Sequence, residues 1–556
     1  MNRRRHTVKH YGKQRIHPLF AVRCRLFAIH CSLFMILYLP LFARDSVVFR
    51  RDFEYVRQST AWLNSDNASG LQYLPVSGIS RAEVSVSKSN GSFVNYHQSD
   101  DSYEFGALAE SFFRLTPRTV FYGKIHYGNF TGKHMGGSML LDPYSNAFNL
   151  VEMAEDTQGS KNRESYDLSG ALGVRLYKGW SVGGGIDYRV AHYVKYKDVR
   201  HINKFFDLSA TAGVNYRWES IADVGVNYSY RRSIEGLNFR MYGTTDRQYL
   251  SLIDFGSFYG RTELFGEDGY VDKNTENPIV NEWNGFAVQL NLTPFEKWSF
   301  FNEFSGKRLE GYYGKKSDYT PVYAEHRAAI VSYAGTLSFD SRNSRHSLKA
   351  SVESEHLENF ENIYREENRT TGRTDIVYYG NNKVLDKNAV NAGMEYTANL
   401  DVTDHQPAWT LKAGANLYRR RQTTSVYPYF RRQTLRYRNV YLSADKKTVR
   451  RANEYGVSLG LLYGWGGGTA KDDGTYAQTS DSQRPPKSSD ANLYREYEYL
   501  TAARAGVSAG VGYARMFRAN LKGYARLAAE WTHAPDTEYL ADGNFCTATL
   551  VIGCNF

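Results

Sequence analysis

The chain has 556 residues, with 47 Gly, 44 Tyr and 15% aromatics, but only 13 Pro and 4 Cys. It is too aromatic for a disordered chain, and its mean hydropathy of -0.54 excludes a bundle of apolar membrane helices. What remains is a large soluble β protein or a membrane β-barrel, whose apolarity escapes averaging because only alternate strand residues meet lipid.

The net charge of +11 is concentrated at the N-terminus: residues 1–43 hold eight Lys or Arg and no acid, which leaves 61 basic against 58 acidic side chains in residues 44–556. That near-neutral balance gives no reason to expect nucleic acid as a partner. A basic stretch to Arg25, an apolar run over residues 26–42 and Leu41-Phe42-Ala43 before Arg44-Asp45 predict a cleaved signal peptide over residues 1–43. Cys24 and Cys31 fall in this leader. Cys546 and Cys554 lie eight residues apart on one predicted strand, about 26 Å, so they do not pair with each other.

Residues 44–78 precede the first predicted strand and are too few for the globular plug of an energised, TonB-dependent receptor. Within residues 49–63, Phe53, Val56, Thr60 and Leu63 stand near helical spacing. Two readings stay open there: a short helix occluding a lumen, or a periplasmic tether.

From residue 79 onward, stretches of ten or more residues alternate apolar with small or polar. Leu208, Ala210, Ala212, Val214 and Tyr216 share one face, while Ser209, Thr211, Gly213 and Asn215 share the other; Trp409, Leu411, Ala413, Ala415 and Leu417 alternate in the same way with Thr410, Lys412, Gly414 and Asn416. Eighteen strands are predicted, near 79–88, 103–113, 119–130, 164–177, 180–192, 203–217, 220–231, 283–292, 298–307, 327–339, 346–356, 387–401, 408–418, 432–444, 453–465, 498–515, 518–532 and 544–556. The patterns at 79–88 and 432–444 are the weakest, and without them sixteen remain. Short connections alternate with long ones at 131–163, 232–282, 357–386 and 466–497. Aromatics such as Tyr103, Phe113, Trp298 and Trp531 stand near strand ends. The expected fold is all-β: a transmembrane antiparallel barrel of 16 to 18 strands over residues 79–556, with long extracellular loops.

In the last strand Cys546, Ala548, Leu550, Ile552, Cys554 and Phe556 share a face. This resembles the terminal strand of bacterial outer-membrane barrels, and the resemblance implies that Phe556 is the assembly signal, with the barrel-assembly machinery and outer-membrane lipid as partners and the outer membrane of a Gram-negative bacterium as location. Trp62-Leu63-Asn64-Ser65-Asp66-Asn67-Ala68-Ser69-Gly70-Leu71, Gly136-Gly137-Ser138 and Asp142-Pro143 resemble, more narrowly, a barrel family of the Bacteroides group with no assigned activity to carry over.

A barrel this wide has a watery lumen unless something fills it. Asp187, Arg189, Lys349, Glu353, Glu395, Lys412, Lys522, Arg526 and Glu530 are expected to line it, either as a mixed-charge selectivity surface or as a cross-strand structural network. Residues 418–451 hold eleven Arg or Lys and one acid. Arg419, Arg420, Arg421, Arg431 and Arg432 are placed on the outer rim, where they meet lipopolysaccharide phosphates or another anionic ligand, or form a solvated basic loop.

The ten histidines after the leader are scattered, with no Gly-x-Ser-x-Gly and no His-x-x-x-His, so no catalytic residue, cofactor or metal is expected. The first expectation for function is a passive pore for small polar solutes. The alternative is a non-transporting surface protein whose loops bind a partner protein, glycan or lipopolysaccharide, and a barrel-embedded hydrolase ranks last.

Overall fold

A computed structural model describes residues 51–556 apart from 220, 244–246, 268, 318, 369–373, 519 and 542. The expected signal peptide lies outside the described residues.

Each period-two stretch hydrogen-bonds to the next, and 18 strands form one antiparallel sheet. They are Gly78–Gly91, Asp101–Thr116, Thr119–Met135, Gly159–Arg175, Trp180–Lys195, Arg200–Trp218, Ala222–Arg240, Asn277–Phe295, Trp298–Gly314, Val322–Asp340, Ser344–Asn368, Thr374–Leu400, Trp409–Val426, Tyr429–Arg450, Asn453–Thr475, Arg504–Arg518, Leu521–His533 and Asn544–Asn555. The first pairs with the last, from Arg81 opposite Asn555 to Gly91 opposite Phe545, so the sheet closes and leaves no edge. The Phe556 amide donates to the Ser80 carbonyl and the Ser80 amide to the Phe556 carbonyl, extending the seam by one rung.

The sides of the wall are assigned by what the strands turn outward. Leu411, Leu442, Leu459, Val331, Ile186 and Leu527 are exposed, while their strand neighbours Gln422, Ser181, Lys522 and Gln433 are buried inside. Apolar outside and polar within is the sidedness of a barrel that sits in lipid, and the reverse of a soluble sandwich. Cys546 and Cys554 are free thiols whose even-numbered strand neighbours Leu550 and Ile552 are exposed on the outer face.

Eighteen strands answer the choice between 16 and 18, and both weak stretches are full strands. Two expectations are corrected. Residues 357–368 and 374–386, expected within a long loop, are strand: Ser344–Asn368 runs 25 residues and Thr374–Leu400 runs 27. Above the apolar band the outer face carries Glu358, Lys383 and Asp386, so apolar alternation fades although the ladder continues. Residues 498–501 belong to a helix, Asp490–Thr501, instead of opening a strand.

Four short strands, Asn149–Glu152, Leu250–Asp254, Tyr259–Leu264 and Lys487–Ser488, form a second sheet from three of the long connections. This sheet folds into the barrel. Met139, Leu140, Phe148, Leu150, Ile253 and Phe255 pack there against the wall residues Leu237, Phe239, Ile279 and Tyr313 in one apolar cluster.

Leu442 is opposite Ala413, midway along the apolar outer band. Leu442→Arg is expected to destabilise the barrel in lipid vesicles by about 2–4 kcal/mol, read by urea unfolding, whereas Asn416→Arg on the inner face costs well under that.

Candidate functional site

The candidate site is the lumen, and its contents decide what the barrel can do. From the rim with short turns, residues 51–77 run up inside the wall. Helix α1, Phe53–Gln58, starts at Asp52, whose carboxylate accepts from the Tyr55 amide at 2.9 Å and pairs with Lys447 on the wall. Phe53 and Val56 are buried, Glu54 meets Arg81 at 2.9 Å, and Arg57 lies 3.8 Å from Glu110. The helical spacing expected over residues 49–63 is realised over a shorter span, Phe53–Gln58, which lies against the inner face of the wall.

Beyond α1, Trp62 is 2% exposed, stacked on Tyr73 and edge-on to Phe301, both at 5.2 Å. Asn67 donates through Nδ2 to Gln289 Oε1 at 2.9 Å and accepts at Oδ1 from the Ser69 amide and hydroxyl at 3.1 and 2.6 Å. Gln72 donates to the Gly173 carbonyl at 2.6 Å.

Three wall glycines make room for this segment. Gly173, Gly183 and Gly213 stand in register on adjacent strands. A Cβ would come within 2.8 Å of Ala68 O at Gly173, 2.3 Å of Ser69 N at Gly183 and 2.2 Å of Asn67 Oδ1 at Gly213. The row shows in the sequence only once the strands are aligned, as small residues at three interior positions. The residues from Trp62 to Leu71 that carried the family resemblance are the ones that dock here, and Gly136-Gly137-Ser138 anchors the inner sheet: Lys161, fully buried, donates to the Gly136 and Ser138 carbonyls.

All nine expected lining residues occupy inner-face positions of their strands, and several are paired. Arg189 meets Asp167 at 3.2 Å, Asp187 is two positions from it on the same face, and Lys522 meets Glu454 at 3.2 Å. Lys349 is opposite Glu395, which accepts from the Tyr441 hydroxyl at 2.7 Å. Arg526 lies over the Tyr524 ring at 4.7 Å, while Glu353 and Glu530 are exposed on the inner face. A cavity of about 440 Å³ remains between α1 and the wall near Lys412, Lys522 and Arg526, and another of about 350 Å³ beside Trp62 and Arg217.

The five rim arginines do not form a loop; they lie on the hairpin of strands Trp409–Val426 and Tyr429–Arg450, and alternation splits them. Arg420 and Arg431 point inward and are buried. Arg420 bonds Gln433 at 2.8 Å and Glu496 at 3.3 Å. Arg431 bridges both Asp473 oxygens at 2.7 and 2.9 Å, reaches Asp490 at 3.4 Å and the Ser257 carbonyl at 3.2 Å, and covers the Tyr259 ring. These two tie helix α2, Asp490–Thr501, and the inner sheet to the wall, so neither is free to hold an external anion. Arg419, Arg421 and Arg432 are exposed on the outer face.

The upper half of the lumen is therefore filled as well. Of the two cases left open for the lumen, water or a filling segment, the upper half has the second, and the segments carrying Leu140, Phe148, Leu150, Leu252, Ile253 and Phe255 are too apolar for free loops. At the tip of the inner hairpin Asp254 accepts from the Gly256 and Tyr259 amides at 2.8 and 3.2 Å, and burial pushes its carboxyl up to about 7. The His356, Glu358 and Asp386 side chains converge on the outer wall, but Lys383 pairs with both carboxylates, which accounts for their charge.

Residues 68–556 match the model of the family described as DUF6850, a family of unknown function, and the chain belongs to that family. No curated protein matches it. Among solved structures, the siderophore receptor PiuA from Acinetobacter baumannii is similar over 86% of this chain and 81% of its own, at 10% identity and a TM-score of 0.40. The ferric preacinetobactin receptor BauA from the same organism gives 86%, 80%, 10% and 0.36, and the alcaligin outer-membrane receptor FauA from Bordetella pertussis 85%, 76%, 9% and 0.37.

Gly183→Leu is expected to evict residues 51–77 while leaving the ladder intact, seen as faster trypsin cleavage after Arg57 with unchanged β-sheet circular dichroism. Because the folded Asp254 carboxyl titrates above its unfolded value of 3.8, this group favours docking of the inner hairpin at low pH, and that contribution is lost as pH rises from about 4 to about 7. Asp254→Asn is expected to flatten this dependence in hydrogen exchange at Gly256 and Tyr259.

Proposed function

We propose that this DUF6850 member is a closed, non-conducting outer-membrane barrel that presents a rigid outer roof for binding a partner protein or glycan. The observation that carries the reading is that the lumen is filled at both levels, by residues 51–77 below and by the inner sheet and α2 above. The roof itself offers aromatic contacts: Tyr196, Tyr242, Tyr427, Tyr476 and Tyr539 are exposed on the connections at that end, and Tyr379 on the strand Thr374–Leu400. Tyrosine supplies a broad apolar face and a hydroxyl at small entropic cost, which suits protein and saccharide contacts alike. The apolar outer band supports a membrane location, and the terminal strand supports recognition of Phe556 by the assembly machinery.

A passive pore for small polar solutes is the second reading. It is favoured by the two cavities and the lining of both charge signs, and it requires residues 51–77 and the inner sheet both to move.

Conductance in planar bilayers separates the two. The full chain and a chain lacking residues 51–77 are both expected to stay silent, because the inner sheet still fills the upper lumen. Steady conductance of the shortened chain would restore the pore.

A further inference from the structure

The outer wall of the hairpin Trp409–Val426 and Tyr429–Arg450 carries five exposed arginines: Arg419, Arg421, Arg432, Arg436 and Arg438. Arg419 is directly opposite Arg436, and Arg438 is opposite Leu417. Like charges opposite one another weaken a sheet unless something neutralises them. Among the described residues no carboxylate is ion-paired with any of the five. Elsewhere on the outer wall charges are matched: Arg232 meets Glu282 at 3.4 Å and Arg327 meets Glu358 at 2.7 Å. On the flanking strands Asp386 is taken by Lys383, and Asp472 stands opposite Arg432, away from Arg419, Arg436 and Arg438; Glu358, one strand further round, is taken by Arg327 and Lys383.

The height of the cluster says what lies beside it. From Trp409 to Arg419 is about 33 Å of strand, which at the usual tilt of about 40° is about 25 Å along the barrel axis, the height of the apolar band in such barrels. Leu411, Leu417, Val440 and Leu442 fill that span, and Trp465, opposite Arg438, packs 5.6 Å from Tyr463 where interfacial aromatics belong. The guanidinium groups therefore start where hydrocarbon ends.

We infer that this wall binds a phosphorylated glycolipid of the outer leaflet, with its phosphates on Arg419, Arg436 and Arg438. Guanidinium forks match phosphate oxygens in pairs, and bound phosphate removes the repulsion between Arg419 and Arg436. The inference rests on the outer-membrane reading above.

The test uses the full chain reconstituted in phosphatidylcholine liposomes, with insertion scored by heat-dependent gel migration, followed by native mass spectrometry after addition of lipid A or of lipid A stripped of its phosphates. Retention of phosphorylated lipid is expected to exceed that of the stripped form by at least about tenfold, and to fall by a similar factor in R419A/R436A/R438A with insertion unchanged. R419K/R436K/R438K keeps the charge and is expected to retain an intermediate amount; R232A, away from the cluster, is expected to bind like the parent. Equal retention by the triple alanine variant, or of the stripped lipid, overturns the site. Failure of every form to insert overturns the membrane reading instead.

Discussion

Lipid offers no hydrogen-bond partner to a peptide group, and the whole architecture answers that constraint. A strand placed in hydrocarbon must have both edges paired, so the sheet has to close, and it does so where Gly78–Gly91 meets Asn544–Asn555. Closure then fixes everything else. With the wall apolar outward, the polar half of each alternation must share the interior, and an interior 18 strands wide cannot be filled by wall side chains alone.

The chain fills it with its own connections. Below, contacts of many small kinds hold residues 51–77: an ion pair at each end of α1, a stacked Trp62, and an Asn67 side chain with all its hydrogen-bonding capacity used. Above, the material is apolar, and the inner sheet packs as a soluble core would, enclosed by the barrel. The buried Lys161 and Lys195 on either side of Glu152 join the two styles, since each ammonium is desolvated and acceptable only because the carboxylate and nearby carbonyls compensate it.

Strand positions were legible because lipid enforces a strict alternation, and that signal survives wherever the outer face meets hydrocarbon. It fades above the band, which is why Glu358 and Asp386 read as loop although they are paired in register. Inward-facing positions of Asp187, Lys349 or Arg526 follow from parity alone. What fills the lumen does not, because docking of a loop inside a barrel has no period of its own. Its traces were indirect: apolar residues in stretches without alternation, and glycines at 173, 183 and 213 that come into line only after the strands are aligned. Parity also separates Arg420 and Arg431 from Arg419, Arg421 and Arg432, a division that counting basic residues in a segment overlooks.

The unequal lengths of the wall strands carry one more meaning. The strand Thr374–Leu400 has 27 residues, which at the usual rise and tilt spans about 65 Å, some 40 Å more than a bilayer core requires. In an outer membrane the excess would stand as a turret on one flank of the molecule. Tyr379, near its crest, would then meet the medium clear of the carpet of sugars that crowds neighbouring lipids, and large molecules could reach it without threading that layer.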